Sequence, residues 1–404
     1  MGSERKERMK LVIVGLGQCG GRIADEFARM NRRAQSERRV QVIIGAYAVN
    51  TDEADLSGLK AIGADYQHRI LLGGRKTTGH GVGKINELGA EIAREGGDKI
   101  IDAIRATKRF WETDAFLIVG STAGGTGSGS LPIVTQLVKE RYRDKPVYAL
   151  AVLPFQHEVN AEARGVYNTA TSLKSVYQVA DAVFLADNQR YLRKDASLIN
   201  NMDAINKQIV APFYNLLCAG EEKKRRYIGA RVVDAGDIIQ TLGGWSTIGF
   251  GTSALGVKVP FERKRDFRKK GTETLRGLQA MDEALSELSL ECNPTDAGSA
   301  IYLLSAPAKE MNMDVFKEIG DYLRELAPHA TIRSGDYPRQ RAEVNVTLIL
   351  SQLSDVNRIT EFYYQLRESV PVMKKWEEEA EAKLRALEEA WFEVPVLSLK
   401  GNHG

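Results

Sequence analysis

Short apolar runs alternate with longer segments of helical periodicity over the first half of this chain. The apolar runs, rich in β-branched residues, are Leu11–Val14, Val40–Val49, Ala115–Val119, Val147–Leu153 and Ala182–Ala186. Continuous apolar runs of this length are typical of parallel strands that are covered on both faces. The alternation therefore predicts an α/β domain with a doubly wound, mostly parallel sheet.

The second half of the chain has a different pattern. Residues Asp203 to Arg226 predict one long central helix, with apolar side chains at helical spacing at Ile205, Ile209, Phe213 and Leu216. Helical patterns follow at Thr272–Leu290 and Asp355–Glu393, and strands are predicted at Ala300–Leu304 and Val344–Leu350. We therefore predict a first domain over residues 10–230, including the central helix. This domain is followed by a loop and helix over 231–242, an α+β domain over 243–352, and a C-terminal helix and tail over 353–404.

A glycine-rich segment, Ala123 to Gly129, lies between an apolar strand run and the helical pattern Leu131–Val138. Glycines let backbone N–H groups turn toward an anion, and the N-terminus of the following helix adds partial positive charge. Thr126 and Ser128 add hydroxyl donors. The segment predicts a phosphate-binding loop without the lysine of a Walker motif, because the Gly83-Lys84 pair lacks that motif's leading glycine and hydroxyl residue.

A second glycine-rich segment, Gly15 to Gly21, follows the first strand. The pattern GxGxxG suggests a dinucleotide-binding fold, which also needs an acidic residue about 20 residues further on, at the end of the second strand. Here that strand ends in Asn50-Thr51-Asp52, well beyond this spacing, and the nearer Glu37 precedes the strand. A dinucleotide-dependent oxidoreductase thus stays an alternative, but it leaves the glycine-rich segments 79–89 and 123–129 unexplained.

Composition and charge narrow the class of protein. Of 404 residues, 43% are hydrophobic and 27% are charged, which is ordinary for a globular protein. The 56 basic and 53 acidic residues give a net charge of +3, which argues against a nucleic-acid partner. Three cysteines without a CxxC pair argue against a disulfide scaffold or a zinc site. Because neither a membrane-length apolar run nor a signal-peptide core is found, we expect a cytoplasmic protein.

These segments resemble the loops of the tubulin/FtsZ superfamily. The sequence GTGSG resembles the superfamily's signature loop, GQCG is identical to the first phosphate loop of eukaryotic tubulins, and Asn50-Thr51-Asp52 matches the second-strand loop of FtsZ. Residues 79–89 resemble the superfamily loop that senses the γ-phosphate, and their sequence is similar to that of the archaeal CetZ branch. The resemblance runs from Leu11 to about Gln352. It implies a GTPase that binds GTP or GDP with Mg²⁺, stacks head-to-tail with copies of itself, and serves in the cytoskeleton, in control of cell shape.

The resemblance also implies contacts to the base and the ribose. Asn188 and Asn206 would bind guanine, since a carboxamide both donates and accepts hydrogen bonds. The alternative is that Asn188 caps a turn and Asn206 is a solvated helix residue. The family's stacking aromatic, four residues before the helix asparagine, is Met202 here. Glu158 is the favoured ribose contact, and Glu162 is the alternative.

Two carboxylates, Asp234 and Asp237, begin a predicted helix and lie on one of its faces. Local chemistry favours plain helix capping. The resemblance instead implies the synergy loop, whose acidic residues act catalytically by polarising the attacking water in the next protomer's site. The family asparagine two residues before Asp234 is Val232 here, so a filament protein that binds nucleotide but hydrolyses little is a further alternative.

The predicted nucleotide-binding residues belong to the glycine-rich loops and to the polar strand ends that follow them. They are Gly17, Gln18, Cys19, Gly20, Gly21, Asn50, Gly81, Val82, Gly83, Ala123, Gly124, Gly125, Thr126, Gly127, Ser128, Glu158, Asn188 and Asn206. No protein ligand to a metal is predicted. Ala123 replaces the first glycine of the signature loop, which is acceptable if its φ is negative.

Overall fold

The computed structural model describes residues 9–192, 198–221, 223–255, 266–368 and 371. Its strands are β1 Leu11–Leu16, β2 Ile43–Asn50, β3 Arg69–Leu71, β4 Ala115–Ser121, β5 Val147–Leu153, β6 Ala182–Asp187, β7 Gly244–Ala254, β8 Ala297–Ser305, β9 Thr331–Asp336 and β10 Glu343–Leu353. Its helices are α1 Gly17–Arg38, α2 Glu53–Ser57, α3 Gly74–Thr77, α4 Asn86–Glu95, α5 Gly97–Arg105, α6 Thr126–Arg141, α7 Gln156–Ala161, α8 Ala163–Val179, α9 Leu198–Glu221, α10 Ala235–Thr241, α11 Asp266–Ser286 and α12 Met313–Leu326. Residues 357–368 form a further helix, called here the C-terminal helix.

The ten strands form one hydrogen-bonded sheet in the order β3-β2-β1-β4-β5-β6-β7-β10-β8-β9. Pairing is parallel from β3 through β7, antiparallel on both sides of β10, and parallel again between β8 and β9. The chain moves outward in opposite directions from β1, to β2 on one side and to β4 on the other. This reversal of strand order places a crevice at the carboxyl ends of β1 and β4.

Helices cover both faces of the sheet, because the buried strands are apolar on both faces. Val12 and Val14 belong to the core beneath α4, α5, α6 and α8, whereas Leu11 and Ile13 belong to the core beneath α1 and α9. In the second half, α11 and α12 pack on the first face and the central helix α9 lies on the second. The predicted doubly wound α/β fold with a long central helix is therefore confirmed.

Several predicted boundaries are wrong by a few residues. The central helix covers Leu198–Glu221 rather than Asp203–Arg226, α11 covers Asp266–Ser286 rather than Thr272–Leu290, and β2 starts at Ile43 rather than at Val40. The predicted helix Asp355–Glu393 corresponds to the C-terminal helix over residues 357–368. Residues 355 and 356 precede that helix, and beyond 368 the structure describes 371 alone, so the rest of that prediction lies outside the described residues.

The strand β7 was not predicted, because it is rich in glycine and polar residues and contains no long β-branched run. A Cβ atom on Gly249 would lie 2.1 Å from the carbonyl oxygen of Ala284, and one on Gly251 would lie 2.1 Å from that of Ala280. The helix α11 therefore packs directly on the backbone of β7, and only glycine permits this approach. The short β3 and the polar β9 were missed as well.

Candidate nucleotide-binding site

A cleft of about 520 Å³ opens at the carboxyl ends of β1, β4, β5 and β6. Ligand sites of open α/β sheets lie at this position, where the strand order reverses. The cleft is lined by the loops after β1 and β4, by the segments after β2, β5 and β6, and by part of the loop before α4. The lining residues are Gly17, Gln18, Cys19, Asn50, Asp52, Asp55, Gly81, Lys84, Ser121, Ala123, Gly124, Gly125, Thr126, Gly127, Val152, Leu153, Pro154, Phe155, His157, Glu158, Val159, Glu162, Gly165, Asn188 and Met202.

Two long helices begin at this cleft without a side-chain cap. The helix α1 starts at Gly17 after Leu16, and α6 starts at Thr126 after Gly125; neither preceding residue provides a capping side chain. The first N–H groups of each helix therefore lack a helical partner and carry partial positive charge. Together they make a surface suited to an anion, although α6 begins within the predicted glycine loop rather than after it.

The two glycine loops are close enough to exclude larger residues. Gly17 has φ +68°, and a Cβ atom there would lie 3.0 Å from the amide nitrogen of Gly127. A Cβ atom on Gly20 would lie 2.2 Å from the carbonyl oxygen of Val119. Gly20 thus lets α1 lie directly against β4, a packing role that explains why it does not line the cleft.

The loop between α3 and α4 is held against the loop after β4 by Asn168 of α8. Its side chain is fully buried, and Nδ2 donates to the carbonyl oxygens of Lys84 (2.9 Å), Ala123 (3.0 Å) and Gly124 (3.2 Å). Lys84 has φ +63°, a left-handed conformation that is unusual for a residue with a side chain. Asn168 was not predicted; its sequence signal is a carboxamide on the side of α8 that also carries the buried Val176.

Polar side chains join the segment after β2 to the two glycine loops. Asp55 accepts hydrogen bonds from Gln18 Nε2 (2.6 Å) and Asn50 Nδ2 (3.0 Å), and the hydroxyls of Thr51 and Thr126 lie 2.7 Å apart. Asp52, which also lines the cleft, caps α2. Asp55 was missed by sequence reasoning, because its partner Gln18 lies 37 residues away along the chain.

The other end of the cleft lies between the carboxyl ends of β5 and β6. Asn188 is buried there, directly after β6, and Met202 of α9 also lines this end. The Glu158 carboxylate accepts a hydrogen bond from the Phe155 N–H (3.0 Å), so it caps α7 as well as lining the cleft. Glu162, the alternative ribose contact, forms an ion pair with Lys84.

Cys19 lines the cleft as a neutral thiol. Burial, and next the negative charge of Glu158, raise the pKa of this thiol to about 12, whereas Arg22 lowers it. A thiol of that pKa is protonated at neutral pH and is a poor nucleophile. Cys19 is therefore suited to contacting a ligand rather than to attacking one.

Most of the predicted nucleotide-binding residues come together in this cleft. Twelve of the eighteen line it, and the six that do not are Gly20, Gly21, Val82, Gly83, Ser128 and Asn206. Ser128 instead donates its hydroxyl hydrogen to the carbonyl oxygen of Gly124, and Asn206 is buried on α9. Ala123 is not among the described non-glycine residues with positive φ, so its methyl group is tolerated.

Asp234 and Asp237 lie outside this cleft, at the start of α10. Asp234 Oδ1 accepts from the Asp237 N–H (2.9 Å) and Asp237 Oδ2 accepts from the Asp234 N–H (3.4 Å), a reciprocal capping box. Arg333 of β9 approaches Asp237 with Nε 3.6 Å from Oδ1. The capping explanation therefore holds within one chain, and the cleft of the same chain has no contribution from these carboxylates.

The described residues contain no group of three or more His, Cys, Asp or Glu side chains arranged to hold a metal ion. No helix within them is both long enough and apolar enough to cross a membrane.

The fold and the cleft together define an α/β nucleotide-binding protein whose sheet continues into a second, mostly antiparallel half. Residues 10–194 match the model of the Tubulin/FtsZ family GTPase domain, and residues 195–368 match that of the tubulin-like CetZ C-terminal domain. The tubulin-like protein CetZ1 of Haloferax volcanii is 34% identical over 379 residues, covering 87% of this chain and 90% of that protein. The chain belongs to the tubulin-like CetZ family of tubulin/FtsZ GTPases.

Solved structures agree with this assignment. The GDP-bound monomer of CetZ1 from Haloferax volcanii superposes with a TM-score of 0.75 at 31% identity, covering 89% of this chain and 99% of that one. The GTPγS-bound protofilament of CetZ2 from the same organism gives 0.76 at 26% identity, covering 91% and 100%. An empty FtsZ dimer of M. jannaschii shares the fold, with a TM-score of 0.62 at 23% identity over 87% of this chain and 90% of that one. The predicted resemblance is therefore confirmed.

Proposed function

We propose that this chain binds GTP and GDP in the cleft, assembles head-to-tail with copies of itself, and hydrolyses GTP where two copies meet, acting in the cytoplasm in control of cell shape. The observation that carries the proposal is the convergence of two uncapped helix N-termini and two glycine loops in one cleft. Such a surface binds phosphate groups through backbone N–H groups and helix dipoles.

The phosphates would lie on the loops that begin α1 and α6. The backbone N–H groups of Gly17 and of Gly124 to Gly127 are the proposed donors, with the hydroxyl of Thr126 beside them. The loop 79–85 would contact the terminal phosphate of GTP, because the Asn168 side chain bridges the carbonyl oxygen of Lys84 and that of Ala123 and so holds this loop beside the signature loop. We call this the phosphate end of the cleft.

Magnesium fits the same end of the cleft. Asp52, Asp55 and Gln18 line this end and carry the hard oxygen atoms that Mg²⁺ prefers. Both Asp55 oxygens also accept hydrogen bonds, from Gln18 Nε2 and Asn50 Nδ2, so this carboxylate would hold the ion through water. These residues would hold the ion together with the phosphate oxygens. When bound, the ion would neutralise negative charge on the phosphates.

The guanine base and the ribose would lie at the end formed by the segments after β5 and β6, called here the nucleoside end. Asn188 is the proposed base contact in the cleft, and Met202 would pack against the ring in place of an aromatic side chain. Asn206 stays a proposed base contact one turn further along α9. Glu158 is the proposed ribose contact, since Glu162 is already paired with Lys84.

Hydrolysis would use the carboxylates of a neighbouring copy. Asp234 and Asp237 lie together on α10, outside the cleft of their own chain, which supports a role in the site of the next protomer. There they would orient the attacking water, while the first protomer's backbone donors stabilise phosphate charge. The GTPγS-bound protofilament of the CetZ2 relative supports assembly of this kind.

The proposed domain boundaries are those predicted from the sequence.

A filament protein with little hydrolysis is a second candidate. Both carboxylates are engaged in the capping box, and Asp237 also lies near Arg333. Val232 takes the place of the asparagine that the family resemblance leads one to expect. These contacts occupy carboxylate oxygens that would otherwise be available to orient water.

Identifying the nucleotide that copurifies with the protein tests the proposal. We expect chromatography of the denatured protein to release GDP or GTP, and competition titration to favour GTP over ATP. GTP turnover per chain should rise with protein concentration. Equal affinity for ATP and GTP would contradict the guanine assignment, tight NAD binding would favour an oxidoreductase, and binding without turnover would favour the second candidate.

A further inference from the structure

A single arginine of the C-terminal helix contacts both loops that form the nucleoside end of the cleft. The side chain of Arg358 is 11% exposed, and its guanidinium carbon lies 4.6 Å from the centroid of the Phe362 ring, one turn further along the same helix. The helix follows β10, so this arginine comes from the second half of the sheet. Arg358 was not predicted from the sequence.

On one side, Arg358 binds the loop after β5. Its Nη1 donates to Gln156 Oε1 (2.7 Å) and its Nη2 donates to the carbonyl oxygen of Pro154 (3.5 Å). These two residues flank Phe155, whose N–H is capped by Glu158. The guanidinium thus anchors the loop that presents the proposed ribose contact.

On the other side, Arg358 pairs with the last residue of β6. Its Nε lies 3.2 Å from Oδ2 of Asp187, the residue directly before Asn188. Asp187 Oδ1 accepts from the Gln189 N–H (3.0 Å), so the same carboxylate caps the turn 188–191 that carries the proposed base contact. The Gln156 N–H donates to Gln189 Oε1 (3.0 Å), which joins the two loops directly.

This ion pair is largely buried, so the loss of one partner would leave the other poorly solvated. The side chains of Arg358 and Asp187 are 11% and 10% exposed. Burial raises the pKa of Asp187, and the charge of Arg358 opposes that rise. Without the guanidinium, a buried carboxylate directly before Asn188 would lack its counter-ion.

We infer that Arg358 is a positioning residue for nucleotide binding, which fixes the loop 154–158 and the turn 187–191 so that Glu158 and Asn188 face the nucleoside. The inference rests on the proposed function. It makes the C-terminal helix part of the support of the nucleotide site, although no residue of that helix lines the cleft. Arg358 acts through its neighbours and does not touch the nucleotide.

The position of the Arg358 contacts predicts which part of the nucleotide would bind less tightly if Arg358 were replaced. The loops at the phosphate end are held by Asn168 and by the helices α1 and α6, none of which contacts Arg358 in the hydrogen bonds and ion pairs found among the described residues. Loss of Arg358 should therefore weaken GTP and GDP alike. It should leave binding of inorganic triphosphate with Mg²⁺ unchanged.

The test compares the full-length protein with three variants. Arg358→Met keeps much of the side-chain volume but removes every donor. Arg358→Lys keeps the charge beside Asp187 but lacks the planar fork that reaches both loops. Ile359→Ala, on the same helix and in the core, loosens helix packing without touching the guanidinium and is the matched control. Affinities for GTP, GDP and inorganic triphosphate are measured by titration, and folding by thermal unfolding.

We expect Arg358→Met to lose about tenfold in affinity for both GTP and GDP, with triphosphate binding unchanged, because a buried polar contact of the two loops is lost. Arg358→Lys should lose less, and Ile359→Ala should keep its affinity even where its unfolding temperature falls. If Arg358→Met does not fold, Gln156→Ala, which removes one acceptor and leaves the buried ion pair, should give a smaller loss of the same kind.

Two results would overturn the inference while leaving the proposed function intact. One is unchanged GTP and GDP affinity in folded Arg358→Met, or in Gln156→Ala where Arg358→Met does not fold. The other is a loss in Ile359→Ala as large as that in Arg358→Met, which would mean that helix packing alone matters. A wild-type protein that binds triphosphate but no guanine nucleotide would instead overturn the proposed function, and the inference with it.

Discussion

Asn168 Nδ2 donates a hydrogen bond across 2.9 Å to the carbonyl oxygen of Lys84, a residue 84 positions earlier in the chain. The same nitrogen lies 3.0 Å from the carbonyl oxygen of Ala123. One buried carboxamide thus sets the distance between the loop 79–85 and the signature loop. Because Lys84 adopts a left-handed conformation, this bond also stabilises a backbone geometry that its own side chain disfavours.

We expect Asn168→Ala to lower the affinity for GTP more than that for GDP. Three carbonyl oxygens lose their shared donor, which costs about 1–3 kcal/mol for a buried polar group, and the loop proposed to contact the terminal phosphate is released. Parallel titrations with the two nucleotides measure the ratio. Ser172→Ala, one turn further along α8, is the matched control, because its hydroxyl is buried without a hydrogen-bond partner among the described residues. An unchanged ratio in folded Asn168→Ala would contradict the assignment.

Replacing the two carboxylates of α10 should stop turnover without weakening nucleotide binding. Asp234→Asn keeps a good helix cap while removing the charge, whereas Asp234→Ala should also cost about 1 kcal/mol of stability. We therefore expect the double variant Asp234→Asn, Asp237→Asn to fold and bind GTP normally but to release no phosphate. A double variant with wild-type turnover would show that these carboxylates are not catalytic.

Mixing two inactive variants tests whether the site is shared between protomers. A Thr126→Tyr variant, blocked at the start of α6, retains both carboxylates, and the double Asn variant retains an intact cleft. At high protein concentration with Mg²⁺, phosphate release should reappear in the mixture, because one variant completes the site of the other. Turnover that stays flat across dilution of the wild type, together with an inactive mixture, would mean that the site is complete within one chain.

Two glycine-to-alanine substitutions should differ sharply in their effect on folding. A Cβ atom at position 20 would lie 2.2 Å from the Val119 carbonyl oxygen, so Gly20→Ala must displace α1 from β4. At position 124 the nearest atom to a new Cβ is Ser121 Oγ at 3.4 Å, and φ is not positive, so Gly124→Ala should be accommodated. We expect the thermal unfolding temperature to be several degrees lower for Gly20→Ala and nearly unchanged for Gly124→Ala. Similar unfolding temperatures for both would contradict this account of α1 packing.

Stability should decline as pH rises above about 8. Burial raises the pKa of Cys19, Cys292 and Tyr214 to about 12, and it also raises that of Tyr148 and Tyr191. Below about pH 8 these groups are largely protonated in both folded and unfolded chains, so their contribution is present almost in full. Between the unfolded and the folded pKa values the unfolded chain loses protons that the folded chain retains, and the free energy of unfolding falls.

Thermal unfolding at pH 8, 9 and 10 measures this decline. The double variant Cys19→Ala, Cys292→Ala should show a smaller slope, since two of the titrating groups are removed. Both thiols should also react slowly with iodoacetamide at pH 8 while the protein is folded, and readily once it is unfolded. A stability that is constant from pH 8 to pH 10 would contradict the prediction.

Sequence patterns identified the buried strands and the glycine loops because both depend on local chemistry. The run Ala115–Val119 can be assigned by its apolar residues alone, and a loop such as Gly124–Gly127 by its glycines. The strand β7 was not predicted, because its Gly249 and Gly251 are explained by the close packing of α11. That contact cannot be read from the sequence of β7 itself.

The residues that hold the site together were missed for a related reason. Asn168, Asp55 and Arg358 are ordinary polar residues in sequence, and each acquires its role from partners far along the chain. Arg358 and Gln156, for example, are 202 positions apart. Glycine positions proposed to contact the ligand through their backbone can be predicted from the sequence, whereas the side chains that hold those loops in place can be identified only once the order of the strands is known.

The two outermost strands of the sheet are poor templates for adding another strand. On one side β3 has only three residues. On the other side, β9 carries the charged Arg333, and its last residue, Asp336, donates its N–H to the Arg231 carbonyl oxygen (2.9 Å), so the segment before α10 covers part of that border. Short, charged and covered borders resist edge-to-edge aggregation. A protein proposed to stack repeatedly with its own copies therefore leaves little free backbone through which the sheets of neighbouring molecules could merge, and the proposed self-association would be left to side-chain surfaces.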